Sequence, residues 1–206
     1  MIIASCGDSF FYGSDLRDPD QTWPSLVAAG MGAAHRCFAE AGVGNSQILQ
    51  QIIRAYHKLG DTAVYLINWT WIDRFDYIST DDERWHTVRP SLDDPKKDGF
   101  YYRNFHSELS DKFHNLVYIS QAQEILKRCR YIMTYMDDLL LDRRWHVPDY
   151  VEFLQDRVAP GLSNFGTQNF LDWSRDQGFP ISDRWHPLEE AHAHAAAYWL
   201  PKVKSL

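Results

Sequence analysis

The sequence predicts a doubly wound α/β domain whose parallel sheet carries helices on both faces. Three observations predict it. Short apolar runs alternate with segments of helical spacing, the pattern of successive βα units. The run Ala63-Val64-Tyr65-Leu66-Ile67 is apolar without interruption, the mark of a strand buried on both sides. Finally, 206 residues, 45% hydrophobic and 24% charged, make one generous domain (1–206) rather than two.

Residues 1–5 form the first strand, which breaks at Gly7. A helix begins at Trp23, with Thr22 as its cap and Pro24 in its first turn, and ends near Gly30. Arg36-Cys37-Phe38-Ala39 gives the second strand, closed by Gly42 and Gly44. Asn45 or Ser46 then caps a helix whose apolar positions Ile48, Leu49, Ile52, Ile53 and Tyr56 recur at three and four. Residues 63–67 form the third strand. From 73 to 113 the pattern dissolves into charge, aromatics and turns, read as an irregular insertion with some helix. Residues 107–128 are mostly helical, and 131–135 return to a strand. Short helices fall around 149–156 and 168–176, and a final helix runs from Leu188 to Leu200. The expected strand order is 2-1-3-4, with room for a fifth strand.

Bulk properties narrow the function. A net charge of −7 argues against a nucleic-acid partner, which needs clustered Lys and Arg. Cys6, Cys37 and Cys129 lie far apart without metal-type spacing and read as buried apolar residues in a reducing compartment. No apolar run reaches the length of a membrane span, and no charged-then-apolar leader opens the chain, so the expected location is cytoplasmic. Eight Trp, eleven Tyr and eleven Phe point to thick packing or to a substrate wall.

Ligands in a parallel sheet bind beyond the carboxyl ends of the strands. Ser9, in Cys6-Gly7-Asp8-Ser9-Phe10, stands there, with Asp8 expected to brace the turn. A serine hydroxyl needs a base, and nine histidines compete for that role. Asp183-Arg184-Trp185-His186-Pro187 places a carboxylate three residues before an imidazole, a spacing that lets Asp183 hold Nδ1–H and leaves Nε2 for Ser9. Arg-Trp-His also occurs at 84–86 and 144–146, without that set of neighbours. Backbone donors come from the turn Gly42-Val43-Gly44-Asn45, and a side-chain donor from Asn68-Trp69-Thr70.

These four stretches, in this order, resemble the SGNH (GDSL-like) hydrolase superfamily. Trp69-Thr70 followed by Arg74, where the family commonly has Gly-x-Asn-Asp, resembles a phage and bacterial subgroup. The resemblance implies a flavodoxin-like three-layer α/β/α sandwich. It implies Ser9 as nucleophile, His186 as base and Asp183 as orienting acid. The oxyanion hole would use the Ser9 and Gly42 amides and a side chain from Thr70 or Asn68. The implied reaction is hydrolysis of a small or carbohydrate O-acyl ester through an acyl-serine, with no cofactor or metal and no membrane partner. An O-acyltransferase acting on a sugar and an inactive binding module on the same fold are the alternatives. Glu190, His192 and His194 make at most a poor metal set, since residues two apart on a helix diverge. Nothing in the sequence sets an oligomeric state.

Overall fold

The computed structural model describes residues 1–90, 98–143 and 147–206. Its sheet has four parallel strands: β1 (Ile2–Cys6), β2 (Ala34–Cys37), β3 (Val64–Trp69) and, late in the chain, β6 (Arg130–Tyr135). Their spatial order is β2-β1-β3-β6, the expected 2-1-3-4. A fifth strand is reduced to one parallel bridge between Met133 and Leu162. Each residue of β3 is buried, as its unbroken apolar run requires. The second strand sits two residues earlier than expected. As a sheet edge it is mostly exposed, so Phe38 and Ala39 were misleading as strand formers.

Alternation along the strands separates two cores. Ala4, Cys6, Tyr65, Ile67 and Met133 face α3 (Asn45–Leu59), α5 (Glu108–Ile125) and α6 (Asp149–Val158). Ile3, Val64, Leu66 and Ile132 face α2 (Trp23–Gly30), α7 (Phe170–Asp176) and α8 (Glu189–Lys204). The result is a three-layer α/β/α sandwich. Trp23, Trp69 and Trp199 lie fully inside it, so part of the aromatic excess is core. The final helix continues through Pro201 to Lys204, past the expected stop at Leu200.

The segment expected to be irregular is more ordered than that. It contains an antiparallel hairpin, β4 (Phe75–Ile78) with β5 (Trp85–Val88), and α4 (Asp98–Asn104). The hairpin also supplies the cap of α3. Asp76 accepts from the Gly44 and Gln47 amides at 2.9 and 3.0 Å and from Ser46 Oγ at 3.0 Å. Asn45 is therefore not the cap. Its side chain clamps the Thr70 backbone in both directions, at 2.8 and 3.0 Å. The Arg144-Trp145-His146 copy of the short repeat lies outside the described residues. Among the described residues no helix is long and apolar enough to cross a membrane. All three cysteines are free; only Cys6 is buried, whereas Cys37 is exposed.

Candidate active site

Strand β1 ends in a turn built for close approach. A Cβ on Gly7 would meet Asn68 O and the Phe11 side chain at 3.2 Å, and the Gly7 amide is held by Gln51 Oε1 at 2.8 Å. Asp8 then caps the single-turn helix α1 (Ser9–Tyr12), accepting from Phe10 N at 3.1 Å. Ser9 takes the first helical position, so its own amide points outward without an intrahelical acceptor.

His186 arrives from 177 residues away. Its Nε2 lies 3.0 Å from Ser9 Oγ. Its Nδ1 lies 2.7 Å from a carboxylate, but that carboxylate belongs to Asp15 and not to Asp183. Asp183 is exposed and makes no hydrogen bond to the ring among the described residues. The local turn explains the exchange. Trp185 adopts φ +68°, which carries the chain round so that Ser182, rather than Asp183, turns inward. Ser182 Oγ accepts the Arg184 and His186 amides at 3.2 and 3.1 Å and donates to Asp15 Oδ2 at 2.7 Å. Hydrogen bonds from His186 and then Ser182 hold the Asp15 carboxyl below the usual carboxylate range. Asp15 itself has φ +67°, a left-handed conformation that Asp and Asn tolerate better than other side chains.

The expected oxyanion donors divide. The Gly44 amide is consumed by Asp76, which leaves Gly42. Gly42 has φ +78° and lines the same cleft as Ser9 and His186. Neither its amide nor that of Ser9 has a hydrogen-bond acceptor among the described residues. Thr70 and Asn68 are not brought to this opening. Thr70 Oγ1 donates to Asp8 Oδ2 at 2.7 Å, and Asn68 Nδ2 reaches Asp8 Oδ1 at 3.4 Å while its Oδ1 accepts from Thr134 Oγ1. Asp8 is fully buried, with Arg74 3.7 Å away. A carboxylate taken out of water needs such donors, so Thr70 and Asn68 are spent on it.

The cleft above Ser9 has a volume of about 1110 Å³. Trp71, Arg74, Arg89 and Trp185 shape its walls, so another part of the aromatic excess faces this cleft. Arg74 also borders a second cleft of about 930 Å³ walled by hairpin and helix aromatics, including Phe75 and Tyr101 stacked at 4.5 Å. His192 is not at the cleft. It is buried in α8, where its Nδ1 accepts the Trp23 amide at 3.0 Å, and His194 packs on Phe179. No group of three metal-type side chains occurs among the described residues.

A parallel four-stranded α/β/α sandwich is also the fold of solved G-D-S-L lipolytic proteins. The solved structures with this fold make the likeness concrete. A member of the lipolytic protein G-D-S-L family from Veillonella parvula DSM 2008 superposes with a TM-score of 0.56 at 13% identity over 100% of both chains. The psychrotrophic esterase EstA from Pseudoalteromonas sp. gives 0.55 at 13% identity, covering 99% of this chain and 97% of that one. A carbohydrate esterase family 2 enzyme from Corynascus thermopiles (Myceliophthora fergusii), which also carries a carbohydrate-binding domain, gives 0.53 at 15% identity over 99% of this chain and 65% of its own. No family model and no curated protein sequence matches the chain.

Proposed function

We propose that this protein is a serine esterase of the SGNH type, with Ser9 as nucleophile, His186 as general base and Asp15 as the acid that orients it. The observation that carries this reading is the unbroken line of contacts Ser9 Oγ–His186 Nε2 at 3.0 Å and His186 Nδ1–Asp15 Oδ2 at 2.7 Å. A serine hydroxyl in hydrogen-bond reach of an imidazole whose other nitrogen is fixed by a carboxylate is an activated nucleophile.

In the reaction Ser9 Oγ attacks the ester carbonyl while its proton passes to His186 Nε2. The carbonyl oxygen gathers charge, which the amides of Ser9 and Gly42 stabilise. The intermediate collapses, Nε2 returns the proton to the leaving alcohol, and an acyl-serine remains. Water repeats the sequence and releases the acid. Asp15 keeps its negative charge throughout and stabilises the imidazolium. The psychrotrophic esterase and the carbohydrate esterase among the structural neighbours support a small or glycan-borne O-acyl group as substrate. Transfer to a sugar would use the same residues, and no observation favours it over hydrolysis. The inactive binding module gains nothing from the departures at Asn68 and Thr70, because those side chains serve Asp8.

The test is labelling by a fluorophosphonate together with turnover of 4-nitrophenyl acetate. The wild-type protein labels at Ser9 and hydrolyses the ester, and Ser9→Ala and His186→Ala do neither. A folded wild-type protein that shows no label and no turnover would sink the reading.

A further inference from the structure

We infer that the ester accepted by this cleft carries a negative charge, a carboxylate, phosphate or sulfate, beside its scissile bond. The inference rests on the esterase reading above and deepens it. The chain as a whole is acidic, with 28 Asp and Glu against 21 Lys and Arg. Among the described residues the Ser9 cleft reverses that balance: Arg74, Arg89, Arg175 and Arg184 line it with one carboxylate, Asp73. Burial first, with Asp137 nearby, pushes that carboxyl above the usual carboxylate range.

The arginines are arranged as well as numerous. Two lie on tryptophans on the cleft wall: Arg74 is 4.9 Å from the Trp71 ring centre and Arg175 is 4.4 Å from that of Trp185. A guanidinium lying over a ring keeps its edge donors in the plane, where a planar or tetrahedral oxyanion can take two at once. Arg74 is partly committed already, donating to Val43 O at 2.8 Å and standing near Asp8, and Arg175 has Asp172 at 3.3 Å. Arg184 has no ion-pair partner among the described residues. Arg89, like Arg74 and Arg175, is engaged, and its Nη1 stands 3.1 Å from where a Cβ on Gly42 would lie.

The wall is also built at a cost. Trp185 is an aromatic residue at φ +68° and 62% exposed, a strained conformation that persists where surroundings demand it. That conformation sets the ring beneath Arg175 one residue before His186. A cleft lined by one sign of charge, with low-dielectric walls, concentrates the opposite charge.

The experiment compares kcat/KM for four ester types on the wild-type protein. These are 4-acetoxybenzoate, charged on the alcohol side; 4-nitrophenyl hydrogen succinate, charged on the acyl side; neutral 4-acetoxybenzamide and 4-nitrophenyl acetate; and cationic 4-acetoxyphenyltrimethylammonium. At low ionic strength at least one anionic ester should exceed its neutral match by about tenfold, and the cation should fall below it. The advantage should shrink towards nothing at about 1 M salt. Arg184→Ala and Arg89→Ala should each lower the anion-to-neutral ratio by about three- to fivefold, the range of a partly exposed charge contact. Equal rates for anionic and neutral esters, with Ser9 still labelled by fluorophosphonate, overturn this inference and leave the esterase reading standing. If Ser9 labels but no ester turns over, slowing of the labelling by anionic esters and not by neutral ones supports it, and the absence of that difference overturns it. Neither labelling nor turnover removes both.

Discussion

Asp15→Asn separates the acid seen in the structure from the acid the motif names. The substitution keeps the size of the side chain and its tolerance of φ +67°, so it changes the charge at His186 Nδ1 and little else. An amide at 2.7 Å from Nδ1 no longer stabilises an imidazolium, and its NH₂ face favours the wrong tautomer. In a triad whose acid is fully buried, that exchange costs ~10⁴ in kcat. The Asp15 side chain is 22% exposed, so water screens part of its field and the loss should be smaller. We expect a fall in kcat of about 10²–10³, equivalent to about 2.7–4 kcal/mol of barrier, with KM changed by less than about threefold. Asp183→Asn, at an exposed position, should stay within about twofold of wild type. Steady-state hydrolysis of 4-nitrophenyl acetate, with thermal melts to confirm that both variants fold, decides the matter. A larger loss in Asp183→Asn than in Asp15→Asn would refute the reasoning.

Thr70→Val removes a 2.7 Å donor from the buried Asp8 carboxylate and should lower stability by about 1.5–3 kcal/mol in urea denaturation. A donor to the oxyanion would instead show a loss of kcat without that loss of stability. Gly42→Ala forces a Cβ into φ +78° beside Arg89, so we expect a cost of about 1–2 kcal/mol and a lower kcat, read from melts and initial rates. Stability should also fall in acid because of His192, which burial pushes down to about 3. Below about pH 6.5 the unfolded chain takes up a proton that the folded chain refuses, so stability rises with pH between about 3 and 6.5, by up to ~1.4 kcal/mol per unit. His192→Asn, which has no such proton to bind, should flatten that part of the denaturation-midpoint curve, and an unchanged slope would count against this account.

Much of the fold was legible because its signals are local. The unbroken apolar run of β3, the helical spacing in α3 and the glycines after β1 and β2 each report on a few neighbouring residues, and the parallel order follows from their alternation. Ser9 and His186 were legible for the same reason, each sitting in a short stretch of recognisable chemistry. Asp15 was not. It lies in a loop whose residues Gly13-Ser14-Asp15 look like any turn, and only the path of the chain around Trp185 brings it to Nδ1. The cap of α3 was hidden similarly, since Asp76 reaches it from a hairpin 32 residues from Gly44. Asn68 and Thr70 were expected to offer a donor to the oxyanion, but spacing says nothing about which way a side chain faces. Here the buried charge of Asp8 claims both.

With Asp15 on the loop that follows Ser9, the proposed triad draws on two distant segments of the chain. Ser9 and Asp15 lie close together in sequence, whereas His186 comes 171 residues after Asp15, in the turn that leads into α8, the helix packed against α2. Loss of the packing of α8 on α2 would therefore part the imidazole from Ser9 and Asp15 while leaving the sheet intact. Recovery of turnover during refolding would thus report the docking of α8 on α2, an event that spectroscopic probes of the sheet would miss.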